Sequence, residues 1–143
     1  MAQQLSAELK PEPQSYAKLL EAAVALQGGD AAKAVTLANQ AVGIFDTWIG
    51  RYDLGRAFLE AKAFPQADSE FDRCIKRRGE AMELFMDDAA TYGYFPSVYY
   101  QLGRAREAMH SAGNVDSYQK YLEIRGQAGE DPLIPELRRK VGK

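Results

Sequence analysis

The sequence predicts an all-α fold, and its residue composition, its turn signals and an internal repeat all support that prediction. Alanine, leucine, glutamate, lysine and glutamine fill most positions, and the alternating β-branched runs typical of strands are nearly absent. Short groups containing glycine, proline or aspartate separate the helical segments. A short motif recurs along the chain, which indicates a repeated structural unit. We therefore expect helices joined by short turns, without strands.

Length and charge exclude several classes of function. The chain has 143 residues, of which 46% are hydrophobic, which is enough for one ordinary core and predicts one domain. The net charge of −2 gives no electrostatic attraction to nucleic acid or to an anionic membrane. No segment approaches the roughly 20 apolar residues that span a bilayer, and the first residues lack a signal-peptide pattern. We expect a soluble, cytoplasmic protein that binds neither nucleic acid nor membrane.

Reactive side chains are too few for most kinds of catalysis. Cys74 is the only cysteine and His110 the only histidine, so an internal disulfide, a cysteine-rich zinc site and a histidine-based triad are all disfavoured. No phosphate-binding glycine loop or nucleophile–base pair is recognisable. The sequence therefore predicts a protein that is not an enzyme and holds no metal and no cofactor, with Cys74 as an inert buried thiol.

The first segments predict an arm followed by a helix pair. Residues 1–13 are polar and contain two prolines, which favours a flexible N-terminal arm or linker before a helical domain at residues 14–143. Residues 16–26 are rich in alanine and leucine and predict a first helix, ended by a glycine pair. Asp30 is a suitable N-cap for a second helix at residues 31–45. The result is a helix, a tight turn and a helix.

The next segment predicts a second pair. Asp46 and Thr47 can cap a third helix at residues 48–61, where we expect Trp48 to act as a packing anchor. Pro65 suits the first turn of a fourth helix, which continues through Arg73.

An aromatic loop and a third pair follow. Residues 87–97 contain Gly and Pro and predict an inserted aromatic loop. Residues 98–109 predict a fifth helix and residues 115–125 a sixth, with Gly113 and Asn114 turning the chain between them.

A terminal helix is indicated by the last segment. Asp131 is an N-cap residue followed by Pro132, and Leu133, Leu137 and Val141 recur every four residues. This spacing gives one apolar stripe, by which the helix is expected to pack back on the fold.

The repeat is clearest in the first helices of the second and third pairs. Residues 52–57 (YDLGRA) recur 48 positions later as residues 100–105 (YQLGRA), with the same Tyr, Leu, Gly and Arg in the same order. The second helices repeat too. Ala67, Phe71 and Cys74 match Ser117, Tyr121 and Ile124 if the third pair has two extra residues in its turn. At a spacing of 33 upstream of the second pair lie Ala34, Ala38, Ala41 and Val42.

This two-helix pattern, with Leu-Gly in the first helix and a small residue four before an aromatic in the second, resembles the tetratricopeptide repeat (TPR). The resemblance covers residues 16–125. It implies a right-handed α-solenoid of about three TPR-like helix pairs, with the terminal helix as the solubilising C-terminal cap. The chain departs from the family by about 14 residues inserted between the second and third pairs, against a period of about 34.

The resemblance also implies a binding groove, because the first helix of each TPR pair lines the concave face. The groove residues it implies are Tyr52, Arg56, Leu59 and Glu60 on the third helix, and Tyr100, Arg104 and Glu107 on the fifth. Tyrosine offers an apolar face with a polar tip, and arginine offers a planar fork for a carboxylate or carbonyl. Together they suit an extended, partly acidic peptide. The alternative is that the tyrosines pack inside the protein and the arginines are merely solvated.

Two further surfaces have alternative interpretations. The aromatic residues Tyr92, Tyr94 and Phe95 are either an exposed protein interface or an inward plug. Two basic runs are expected to be solvated helix faces. They comprise Arg73, Lys76, Arg77 and Arg78, and Arg138, Arg139 and Lys140.

Two functions remain open from the sequence. The first is a non-enzymatic module that binds a protein or an extended peptide in the concave groove. The alternative is a structural or regulatory appendage that self-associates, as a homo-oligomer, or belongs to a larger multidomain protein.

Overall fold

The computed structural model describes residues 1, 3, 4, 10–81 and 94–142, and within these residues it is helical and contains no strand. Two compact units are present, Met1–Arg77 and Arg78–Lys143. The first unit contains α1 (Pro11–Gln27), α2 (Ala31–Ile44), α3 (Trp48–Glu60) and α4 (Phe64–Lys76), and the second contains α5 (Tyr94–Ala108), α6 (Gly113–Arg125) and α7 (Leu133–Val141). The predicted all-α class is confirmed for this part of the chain.

Two helices begin earlier than the sequence predicted. α1 starts at Pro11 rather than at residue 16, so residues 11–13 of the predicted arm are helical. α5 starts at Tyr94 rather than at residue 98. The physical reason is the same in both, because a proline is tolerated in the first helical turn, where its missing N–H has no intrahelical partner.

Side-chain capping accounts for the starts of α2 and α3. The Asp30 carboxylate accepts a hydrogen bond of 3.0 Å from the backbone N–H of Lys33. The Thr47 hydroxyl accepts one of 3.1 Å from the N–H of Gly50. Both caps satisfy amide groups that have no partner within the helix, as predicted.

One backbone turn joins the two helices of each pair. After α1, Gly29 has a φ of 79°, its N–H donates to the carbonyl of Leu26, and the N–H of Asp30 donates to that of Ala25. This hydrogen-bond pattern closes a helix end with a left-handed residue. The equivalent left-handed residues after α3 and α5 are Lys62 (φ 60°) and His110 (φ 56°). In the equivalent hydrogen bonds, the N–H of Ala63 donates to the carbonyl of Phe58, and the N–H of Ser111 donates to the carbonyl of Arg106.

The prediction that Gly113 and Asn114 turn the chain is wrong. Both residues lie in the first turn of α6, and the chain reverses at His110. The backbone hydrogen bonds that close α5 need one left-handed residue shortly after the helix, and His110, two positions after Ala108, is that residue although it has a side chain.

A tie between the two helices of a pair is repeated at a spacing of 33 residues. The Ser15 hydroxyl donates to the carbonyl of Ala41 at 2.9 Å. The indole N–H of Trp48 donates to the carbonyl of Cys74, also at 2.9 Å. Trp48 and Cys74 each stand 33 positions after Ser15 and Ala41. The first and second pairs are therefore built in one register.

Small residues bring the helices of each pair close together, as the repeat predicted. A Cβ atom added at Gly55 would lie 2.6 Å from the ring of Phe71, so α3 and α4 touch where glycine leaves room. Ala67 is also fully buried there. In the first pair, the alanines predicted from the 33-residue spacing are fully buried. They are Ala34, Ala38 and Ala41.

The third pair uses a different aromatic residue from the one predicted. The ring that lies against Gly103 belongs to Tyr118, and not to Tyr121, which the sequence comparison matched to Phe71. Tyr121 lies one turn further along the same face of α6 and is also buried. Ile124, which the sequence comparison matched to the buried Cys74, is instead 50% exposed. The Tyr121 hydroxyl donates to the Asp131 carboxylate at 2.7 Å and fixes the residues just before α7.

The terminal helix packs on α6 by the predicted stripe. Leu137 is fully buried in a cluster with Tyr118 and Tyr121, and Leu133 and Val141 pack against this cluster. The stripe of one leucine or valine per turn forms an apolar contact between α7 and α6.

Charged side chains connect the α2–α3 turn to α4. The Asp46 carboxylate accepts hydrogen bonds from Arg51 at 2.8 and 2.9 Å and from Arg77 at 2.8 Å. Arg51 also donates to the buried Glu70 at 3.2 Å. Hydrogen bonding to Arg51 and then to Arg77 lowers the pKa of Asp46 to about 2.

Candidate functional site

A tyrosine and an arginine one turn apart form a compact pair on α3. The guanidinium of Arg56 lies over the Tyr52 ring, 5.9 Å from its centroid. The same guanidinium donates to the Asp53 carboxylate at 3.2 Å. The Arg56 side chain is nevertheless 43% exposed. An aromatic ring below and a carboxylate beside it hold the arginine in place while part of its fork still faces solvent.

The same arrangement recurs on α5. The guanidinium of Arg104 lies 6.0 Å from the centroid of the Tyr100 ring and donates to the Gln101 amide oxygen at 2.9 Å. The two pairs thus share the ring contact and the hydrogen bond three residues back. They differ in charge, because a neutral amide replaces the carboxylate of Asp53.

Tyr52 lies deeper than a groove contact would. Its ring is 4% exposed, stacks on Trp48 at 5.7 Å and is tilted against Phe71 at 6.1 Å. Because Phe71 also packs against Gly55, the Tyr52 ring belongs to the core between α3 and α4. On this helix, Tyr52 supports Arg56 from beneath and does not present its own face to a ligand.

Tyr100 is more accessible than Tyr52. It is half-buried, with its ring tilted against those of Tyr118 and Tyr121 at 6.4 and 6.1 Å. The alternative drawn from the sequence, in which the tyrosines pack internally, therefore describes Tyr52 well and Tyr100 only in part.

The other residues that the sequence analysis assigned to a groove differ in solvent exposure. Glu60 is exposed, whereas Leu59 is 5% exposed and belongs to the interior. Glu107 is engaged within its own unit, where its carboxylate accepts hydrogen bonds from the Tyr118 hydroxyl at 2.7 Å and from Lys140 at 2.6 Å. Hydrogen bonding to Lys140 lowers the pKa of Glu107. Glu107 helps to hold α7, a role that the repeat pattern did not reveal.

Asp53 adds an electrostatic feature that the sequence analysis missed. Burial raises the pKa of this carboxyl group, although the nearby Arg56 guanidinium acts in the opposite direction. The sequence signal for it was present, because Asp53 is the one residue at which YDLGRA and YQLGRA differ. The two Tyr–Arg pairs therefore differ at this position, where α3 has a carboxyl group and α5 has a neutral amide.

The aromatic segment is described only in part. Tyr92 lies outside the described residues, Tyr94 is the first residue of α5, and Phe95 is half-buried. The Phe95 ring meets that of Tyr99 edge to face at 5.7 Å. Residues 94–97, which the sequence analysis predicted as the end of the loop, are therefore helical. One side of the Phe95 ring contacts Tyr99 of the same helix.

Several side chains of the two basic runs form ion pairs or hydrogen bonds with neighbouring groups. On α4, Lys76 pairs with Asp72 at 2.6 Å, and Arg77 pairs with Asp46 at 2.8 Å. On α7, Arg138 donates to the Gly126 carbonyl at 3.0 Å, and Lys140 pairs with Glu107. The sequence analysis expected solvated helix faces, and the ion pairs are an addition that it did not predict.

Reactive chemistry is not indicated for the one cysteine. Cys74 is fully buried, and burial raises the pKa of its thiol to about 12. Its sulfur faces the carbonyl of Trp48 at 3.8 Å.

Among the described residues, no three potential metal-ligating side chains of His, Cys, Asp or Glu cluster together. None of the helices in this part of the chain is long and apolar enough to cross a membrane.

Comparison with known proteins finds no matching protein-family model and no matching curated protein. The fold and the two arginine sites are therefore interpreted from their own geometry.

Proposed function

We propose that the chain is a cytoplasmic, non-enzymatic binding module of the TPR type that holds an extended, partly acidic segment of another protein. Support comes from helix pairs closed by one turn geometry, with an inter-helix tie repeated at a spacing of 33 residues. A period of about 34 residues with a two-helix unit is typical of TPR proteins. We infer that the pairs stack side by side as a right-handed solenoid whose first helices line the bound segment.

The repeated arginine geometry carries this proposal. Arg56 and Arg104 each lie over a tyrosine ring at about 6 Å and each make a hydrogen bond to the residue three positions back. A guanidinium held in this way has lost part of its conformational freedom before binding, so less entropy is lost when a ligand docks. Its remaining N–H groups match the geometry of a carboxylate or a backbone carbonyl.

The burial of individual side chains refines which residues contact the segment. We propose Arg56, Glu60 and Arg104 as contacts, with part of the Tyr100 ring. Tyr52 and Leu59 support the site from within α3, and Glu107 is assigned to the attachment of α7.

A charge-reversal experiment tests the groove. The double variant Arg56→Glu with Arg104→Glu is compared with wild type for binding to an array of extended peptides that are acidic, neutral or basic. Loss of two charge-assisted contacts, each worth roughly 1.5–3 kcal/mol, should weaken binding of acidic peptides by about 100-fold or more. Circular dichroism should report unchanged helicity, since both side chains lie at the surface.

A matched control uses the same change in net charge elsewhere. Arg78→Glu with Arg139→Glu reverses two exposed arginines outside the proposed groove. If this control weakens binding as much as the test variant does, net charge and not the groove governs capture. Unchanged binding by the test variant would rule out the groove itself.

A further inference from the structure

The outer face of α1 presents apolar side chains to solvent. Val24 is 69% exposed and Leu20 is 37% exposed, and Ala23 between them is exposed as well. With Leu37 of α2 and the side chain of Met1, they border an open cleft. The opposite face of α1 is the one buried against α2, so this helix is apolar on two sides. A helix of that kind is normally covered on both.

The internal repeat indicates which kind of element packs on the exposed face of α1. Val24 stands 33 positions before Ala57, in the register that the inter-helix ties define. Ala57 is 0% exposed because α3 packs there on the first pair, in a core cluster with Ala25 and Leu37. The position occupied by Val24 is thus one at which this architecture docks a neighbouring helix.

The spacing along α1 also fits a helix as the occupant. Tyr16, Leu20, Ala23 and Gln27 follow one another at intervals of four, three and four residues. This is the spacing of a helix-on-helix seam, in which large residues fill holes on the facing helix. The small side chain of Ala23 in the middle of the seam lets two helix axes approach closely.

The charges around the cleft favour a second copy of the same chain. Its border carries both signs, with Glu21 and Asp30 against Lys33. A surface with both signs complements itself across a two-fold axis, whereas a strongly acidic or basic partner would meet repulsion on part of it. In an antiparallel crossing centred on residue 22, Leu20 of one copy faces Val24 of the other.

We propose that the chain forms a two-fold homodimer in which α1 of one copy packs antiparallel on α1 of the second copy through Leu20, Ala23 and Val24. This interface is separate from the proposed peptide groove, because the arginines lie on α3 and α5. The dimer leaves those helices unchanged and brings two copies of the binding module together.

Sedimentation equilibrium of the full chain tests the proposal, with paired charge variants. Wild type should approach twice its monomer mass of 15.9 kDa as its concentration rises toward about 1 mM, a range that detects even weak association. The variants Leu20→Glu with Val24→Glu, and Leu20→Lys with Val24→Lys, should each stay monomeric. An equimolar mixture of the two should form a heterodimer, since opposite charges then face each other across the axis. Ile124→Glu, at an exposed site on α6, is the control and should associate like wild type.

Three outcomes would overturn the proposal. The first is a wild-type chain that remains monomeric throughout the range. The second is a dimer that the α1 variants do not disturb, or that their mixture does not restore, because its interface then lies elsewhere. The third is a monomer that dimerises only after residues 1–9 are deleted, because the N-terminal segment of the chain would then be the native cover of α1. Circular dichroism of each variant measures its helicity and so distinguishes a folding defect from a loss of association.

Discussion

Single residues set how closely the helices of a pair can approach, and glycine is decisive at Gly55. We predict that Gly55→Ala lowers the free energy of unfolding by about 1–3 kcal/mol, because the added methyl group overlaps the ring of Phe71, which is fully buried. Urea denaturation followed by circular dichroism measures the change.

Gly43 provides the control for this substitution. It lies in α2 with open space around its Cα, so Gly43→Ala should raise stability by up to about 1 kcal/mol through its higher helix propensity. Equal effects at Gly43 and Gly55 would mean that helix propensity, and not the contact with Phe71, governs both positions.

At this scale, sequence predicted the small residues better than their aromatic partners. Gly55, Ala67 and Gly103 follow directly from the repeat. The sequence did not identify the ring that lies against Gly103. Tyr118 and Tyr121 are three residues apart on one helix face, and only the start of α6 decides which of them meets the glycine. The burial of Tyr52 depends on contacts with Trp48 and Phe71 across the helix pair, which a local pattern does not contain.

Among the elements, the α2–α3 turn is joined to the end of α4 by Asp46. We predict that Asp46→Asn destabilises the chain by roughly 0.5–1 kcal/mol at pH 7, a value appropriate to a partly exposed ion pair. Because the pKa of Asp46 is lowered to about 2 in the folded chain, its contribution is complete above the unfolded pKa of about 3.9 and is lost as pH falls through about 2.

The measurement is the difference in unfolding free energy between wild type and Asp46→Asn across this range of pH. The difference should be constant from pH 7 to about 5 and shrink toward zero near pH 2. A difference that stays constant down to pH 2 would show that the carboxylate charge contributes nothing. High salt at pH 7 should reduce the difference as well, since part of the site is exposed.

The attachment of α7 rests on one fully buried side chain. Leu137→Ala should destabilise the chain by about 2–5 kcal/mol, since it leaves a cavity beside Tyr118 and Tyr121. Urea denaturation followed by circular dichroism measures the change in the free energy of unfolding. Arg139→Ala, at an exposed site on the same helix, is the control and should change stability by no more than about 0.5 kcal/mol.

Helices were the most predictable feature, since caps and periodicity are local. Asp30, Thr47 and the stripe through Leu137 all lie where the sequence placed them. The starts of α1 and α5 were missed because proline was read as a break, although the first turn accepts it. The function of Glu107 was missed because its partner Lys140 lies 33 residues further along the chain.

On the scale of the whole molecule, the described residues form two units with their own cores. We predict that Gly103→Ala, which forces the ring of Tyr118 aside, lowers amide hydrogen-exchange protection in α5, α6 and α7 and leaves α1 to α4 nearly unchanged. Peptide-resolved exchange measured by mass spectrometry reports each helix separately. Equal loss of protection throughout the chain would mean that the two units unfold as one.

Long-range organisation was the least predictable from sequence. The 48-residue spacing predicts an insertion between the second and third pairs, but repeated motifs do not show where one compact unit ends and the next begins. That boundary depends on contacts between residues far apart in the sequence, which a local pattern does not contain.

The three turns that close α1, α3 and α5 have a consequence for how freely this chain can vary. Each is held by hydrogen bonds between main-chain atoms, and the left-handed position is filled by glycine, lysine and histidine in turn. The turn therefore accepts different residue types, although glycine is the one that adopts a positive φ without strain. Substituting glycine for the exposed Lys62 or His110 should relieve backbone strain without removing a side chain from the interior.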